Sequence, residues 1–155
     1  LRTIEKLLKI SRRTLACVAL VGIMSLPTTS LGGGRGNDFL LIVSGLRSQE
    51  GDVHIALYDN PSQFPNADGM IFKIEVPIIE GAAHHKFIGM EPGLYAVAVY
   101  HDENDNDEFD QGFLGIPLED YAFSKNAPVF LGPPNFARAA FAVPGTREVH
   151  IRINE

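Results

Sequence analysis

The chain has 155 residues, enough for one ordinary domain and a short extra segment. Hydrophobic residues make up 45% and charged residues 21%, which excludes a disordered polyelectrolyte and permits a packed core. With 15 Gly, 10 Pro and no Trp, short apolar runs between turns are favoured over long helices.

Residues 1–30 differ in kind from the rest. Arg2, Lys6, Lys9, Arg12 and Arg13 precede an apolar run at 15–26, and Pro27 and small polar residues follow. Basic, then apolar, then small is the layout of a signal peptide, with cleavage expected near 30–32. The apolar run falls short of the roughly 20 residues that span a bilayer, so no stable membrane span is expected after cleavage. Ser11-Arg12-Arg13 leaves both the general and the twin-arginine export routes open. An exported product, periplasmic or secreted, is therefore expected. The remainder carries 8 basic and 18 acidic residues, a net charge of −10. Such a balance argues against nucleic acid or anionic lipid as a partner and suits cation binding. The one cysteine, Cys17, lies in the leading segment, so the remainder has no disulfide.

Residues 31–37 read as a flexible Gly-rich lead, and 38–155 as the domain. Phe39 to Val43 is a buried strand, ended by Ser44-Gly45. Residues 52–58 alternate, with Val53, Ile55 and Leu57 on one face, and are expected to form a hairpin with the first strand. Asn60-Pro61, Pro65-Asn66 and Asp68-Gly69 mark a loop. Residues 71–78 alternate again, and 85–88 form a shorter strand. Glu91-Pro92-Gly93 is a turn into the strongest strand, 94–100, whose Ala96 and Ala98 offer a small face for close packing. Residues 102–135 are rich in Gly, Pro, Asn and Asp, yet their many apolar residues imply an ordered, packed connection. Residues 136–143 read as a strand or a helical turn, and 147–153 as a closing strand. About seven short strands without a helical period imply an all-β, seven-stranded sandwich of Ig-like type.

Asp102-Glu103-Asn104-Asp105-Asn106-Asp107-Glu108-Phe109-Asp110 carries the strongest chemical signal. Asp102, Asn104, Asn106 and Asp110 fall at loop positions one, three, five and nine of a Ca²⁺ loop, and the Glu108 carbonyl falls at position seven. Position six is Asp107 instead of Gly. Asp tolerates the left-handed conformation needed there better than most residues. Position twelve is Phe113, so the closing carboxylate must come from outside, from Glu119 or Asp120. The competing account is an acidic turn whose Asp and Asn side chains cap their own backbone.

The series His101-Asp102-Glu103-Asn104-x-Asn106, Asp110, Gly115-Ile116-Pro117-x-Glu119, Tyr121-x-Phe123-Ser124-x-Asn126-Ala127 and Gly132-Pro133-Pro134-x-Phe136 follows the strand entry Pro92-Gly93-x-Tyr95. It resembles the uncharacterised bacterial family called domain of unknown function 2141, over about residues 39–153. The resemblance implies a secreted or periplasmic β-sandwich without an established activity. The strand entry also resembles prealbumin-like sandwiches.

His54, His84, His85, His101 and His150 are candidate metal ligands, with exposed strand histidines as the competing account. His84 and His85 are adjacent, so they point to opposite faces of a strand and do not share a metal easily. His101 abuts the acidic loop and is a candidate acid or charge partner. Ser124 lacks a nucleophile-elbow pattern. The expected function is a non-enzymatic exported module, its acidic loop stabilised by Ca²⁺, that binds a protein or envelope ligand. The alternatives are a structural or assembly domain without metal, and a metal-dependent hydrolase using Asp102, Asp110 and Glu119.

Overall fold

A computed structural model describes residues 37–154. The expected signal segment, and all of the lead except Asn37, lie outside the described residues. Eight strands form two sheets: β1 (Phe39–Ser44), β2 (Asp52–Tyr58), β3 (Phe72–Pro77), β4 (Ala83–Phe87), β5 (Gly93–Asp102), β6 (Tyr121–Phe123), β7 (Phe141–Val143) and β8 (Glu148–Arg152). The three-stranded sheet has the order β4-β1-β8, with β8 parallel to β1. The five-stranded sheet runs β3-β2-β5-β6, and β7 pairs with the first residues of β5.

All seven expected runs form strands. The count of seven becomes eight because Tyr121–Phe123, three residues within the stretch read as irregular, pairs with β5. Residues 136–143 hold both expected forms in turn: a single helical turn, α1 (Phe136–Ala139), then β7. Asn135 caps α1, its Oδ1 accepting from Arg138 N.

The expected β1–β2 hairpin is corrected. β1 pairs with β4 and β8, whereas β2 pairs with β3 and β5. The connection between them crosses from one sheet to the other. Phe39, Leu41 and Val43 of β1 and Val53, Ile55 and Leu57 of β2 share one core between the sheets. Alternation fixes which side chains point inward, but two strands facing across a core satisfy it as well as two paired strands do.

A second cluster lies on the other face of the five-stranded sheet. Tyr58, Phe64, Ala96, Phe123, Ala127, Phe136 and Ala139 pack there, with Ala98 partly buried against them. The small alanine face of β5 is thus packed over, as expected from its sequence, and the residues that cover it include aromatic rings. Phe64 stands edge-on to Tyr58, Phe123 and Phe136, with ring centroids 5.1, 5.6 and 5.8 Å away.

The turn Ser124–Asn126 ties both sheets together. β6 and β7 leave a gap along the same edge of β5, and fully buried Ser124 fills it. Its Oγ accepts from Val97 N (2.9 Å) and donates to Ala139 O (2.7 Å). Two residues on, Asn126 Oδ1 accepts from Arg152 N of β8 at 2.9 Å.

Candidate functional site

The site grows from the pairing of β2 with β5. Their register places Asp52 opposite Asp102 and His54 opposite Tyr100. Side chains two residues apart share a face, so these four groups gather on the outer face of the sheet. Asp102 and His54 are almost wholly buried, at 0% and 2% exposure. Val53 and His101, the pair between them, turn to the opposite face, where His101 Nε2 lies 2.8 Å from Glu50 O. His101, expected beside the acidic loop, thus sits on the opposite face of the sheet, where its charge still partly offsets the burial that raises the nearby Glu119 carboxyl.

Asp102 organises the loop that follows. One carboxylate oxygen accepts from Asn106 N (3.2 Å) and the other from Asp107 N (2.7 Å). Asp105 and Asp107 take φ values of 59° and 64°, so Asp107 adopts the left-handed conformation expected at position six. Gly51 lies against the same corner with φ +66°, and a Cβ there would sit 1.8 Å from Asp102 O. Only glycine fits.

Farther along, Asp110 collects its neighbours. Asn104 Nδ2 donates to Asp110 Oδ2 at 2.8 Å, and Asn106 Nδ2 to Asp110 Oδ1 at 3.3 Å. Glu108 takes part through its N–H, which donates to Asn106 Oδ1 at 2.9 Å. Glu119 reaches in from outside: its Oε2 accepts from Asp110 N at 3.1 Å, while its Oε1 is buried without a hydrogen-bond partner. Asp120 is engaged elsewhere, paired with Arg47 and accepting from Asn154 Nδ2. The structure therefore brings Asn104, Asn106, Asp110 and Glu119 together and holds Asp102 deeper, against β2.

The charges respond to these surroundings. Burial pushes the Asp102 carboxyl up, but N–H groups of Asp107, Asn106 and Asp105, with nearby His54, outweigh it and leave the group below its ordinary value. Burial raises Glu119, and the N–H bond from Asp110 only partly offsets this. Burial also raises Asp52, against the opposing effect of His54.

Asp52 is not among the sequence candidates, and His54 is one only as a metal-ligand histidine with no partners assigned. Alternation places them on the face opposite Val53 and Ile55, which is legible in sequence; their apposition to Asp102 depends on strand register, which is not. His54 Nε2 lies 3.2 Å from Asp52 Oδ1, 3.5 Å from Asp102 Oδ2 and 3.8 Å from Asp107 Oδ1. Its Nδ1 is 2.8 Å from the Tyr100 hydroxyl.

His54 also borders a cavity of about 720 Å³ on the outer face of the sheet. Ala56 and Ala98 lie in its floor, Tyr100, Phe109, Tyr121 and Phe123 along its wall, and Lys73 among its few charged groups. The segments that border it, around 111–117 and 129–133, carry exposed Phe113, Leu114, Phe130 and Leu131. Ser124 Oγ, by contrast, is enclosed by backbone and offers no accessible nucleophile. Among the described residues, no helix is long and apolar enough to cross a membrane.

A family model described as "Uncharacterized protein conserved in bacteria (DUF2141)" matches residues 42–152, so the chain belongs to that family. No curated protein and no solved structure matches it.

Proposed function

We propose that this member of the DUF2141 family is an exported, non-enzymatic binding module that takes up a small, largely apolar ligand, free or as part of an envelope partner. The cavity on the outer face of the five-stranded sheet carries the proposal. Its volume, about 720 Å³, is that of a small-molecule site, and its lining is mostly aromatic and aliphatic with few polar groups. The basic-then-apolar layout of residues 1–30 supports export. Two sheets facing across one core support the finer architecture, an Ig-like or prealbumin-like sandwich.

The acidic loop frames this cavity, since Phe109 and Gln111 in its wall flank Asp110. A Ca²⁺ ion held by Asn104, Asn106, Asp110 and Glu119, with Asp102 behind them, would fix that frame. The unsatisfied Glu119 Oε1 supports such an ion, because hard cations take carboxylate and amide oxygens. The second reading, a loop that needs no metal, draws on the bonds from Asn106 N and Asp107 N to Asp102.

Nile red, a neutral apolar dye, tests the cavity. Saturable fluorescence at one dye per chain is expected, and Ala98→Leu, which fills the floor, is expected to reduce it at least tenfold. Unchanged binding by that variant would move the site away from the cavity. Melting curves in Ca²⁺ and in EDTA separate the two loop readings. A site filled to 100 times its dissociation constant adds about 2.7 kcal/mol, and equal curves would leave the loop self-sufficient.

A further inference from the structure

We infer that Asp52, His54 and Asp102 form a second cation site, selective for a divalent transition metal such as Zn²⁺, distinct from the outer Ca²⁺ loop. The cluster lies where β2 and β5 pair, so sheet register sets its geometry. Three ligand atoms, one from each residue, lie within 4.8 Å of one another.

The decisive feature is the imidazole. His54 is 2% exposed, and its Nε2 is buried without a hydrogen-bond partner, as is Asp52 Oδ1. Both atoms face the same small space. Nε2 makes a hydrogen bond to neither Asp52 nor Asp102, although both carboxylates lie close to it. The distances fit a shared ion instead. Metal–ligand bonds of about 2.1 Å in a tetrahedron place neighbouring ligand atoms about 3.4 Å apart. The separations from Nε2 are 3.2 and 3.5 Å.

The surroundings are those of a metal-binding histidine. The other ring nitrogen, Nδ1, meets the Tyr100 hydroxyl at 2.8 Å, which fixes the ring; with Nδ1–H donated to that oxygen, Nε2 presents its lone pair to the cluster. Asp102 is oriented by two backbone N–H groups. Asp107 Oδ1, 3.8 Å from Nε2, stands where a fourth ligand or a water would complete the set. A nitrogen donor among carboxylates favours a borderline cation over Ca²⁺, which prefers oxygen alone.

Cobalt is the probe. The full chain, stripped with EDTA, is titrated with Co²⁺ and followed by its visible absorption, and Zn²⁺ is added as competitor. One Co²⁺ per chain, displaced by Zn²⁺, is expected. His54→Gln and Asp52→Asn, both close in shape to the originals, are expected to weaken uptake at least about hundredfold, and Tyr100→Phe about tenfold. Asp110→Asn, in the outer loop, is expected to leave it unchanged. Nitrogen NMR of the wild-type imidazoles requires no variant to fold: Zn²⁺ is expected to shift His54 Nε2 and spare His84 and His150. Unchanged Co²⁺ uptake by His54→Gln would overturn the site, as would a His54 resonance indifferent to Zn²⁺, or loss of uptake with Asp110→Asn alone.

Discussion

Asp102 has no exposed surface and still favours its charged form, because backbone N–H groups of the following turn replace the water it has lost. Its folded pKa is depressed, so the stability it contributes is present above the ordinary carboxylate range. That contribution is lost as pH falls through the lower folded value. Asp52 and Glu119 have the opposite sign: raised by burial, they favour folding at low pH and oppose it as pH rises through their folded values. Asp102→Ala leaves the N–H groups of Asn106 and Asp107 without their acceptor and is expected to cost about 2–4 kcal/mol, measured by urea unfolding at neutral pH. A cost below about 1 kcal/mol would mean that the turn holds its shape unaided. In EDTA at neutral pH, Glu119→Gln is expected to raise the melting temperature, since the carboxylate is confined where its charge is disfavoured. A lower melting temperature would contradict that sign.

Among the elements, β5 carries both cores, one on each face, and its Ala-Val alternation announces this in the sequence. Strand spans were legible because period-two burial is written into Val53, Ile55, Leu57 and their counterparts. Pairing was not, because an inward-facing residue looks the same whether its strand pairs with a neighbour or faces it across the core. β6 was hidden for a different reason. Three residues flanked by turns give no periodicity, and Tyr121–Phe123 exists by virtue of the edge that β5 offers. The candidate site divides along the same line. Spacing within residues 102–110 suggested the loop ligands, whereas Asp52 and His54 lie about fifty positions away and only register delivers them. The aromatic cluster gives this scale its prediction. Phe64 locks the 59–70 loop onto Tyr58, Phe123 and Phe136. Phe64→Ala is expected to cost about 3–5 kcal/mol, with faster amide exchange throughout that loop. Exchange unchanged there would show that the loop is held by other contacts.

At the scale of the molecule, 18 acidic residues against 8 basic ones make residues 31–155 self-repelling. Added NaCl screens that repulsion over distances beyond about 10 Å at 0.1 M. The melting temperature is therefore expected to rise as NaCl goes from low concentration to a few tenths molar, and a fall would assign net stabilisation to the ion pairs. The two sheets resist this repulsion through more than the core between them. Within three residues, the turn Ser124–Asn126 reaches Val97 in the larger sheet and Arg152 in the smaller. Lys125 and Asn126 both hold positive φ there, at 61° and 46°, a conformation that relaxes once those bonds are released. Unfastening either sheet therefore releases the same clasp, and the other sheet loses an anchor in that event. The two sheets are therefore expected to melt as one cooperative unit, without a half-unfolded form that exposes a bare edge to neighbouring molecules.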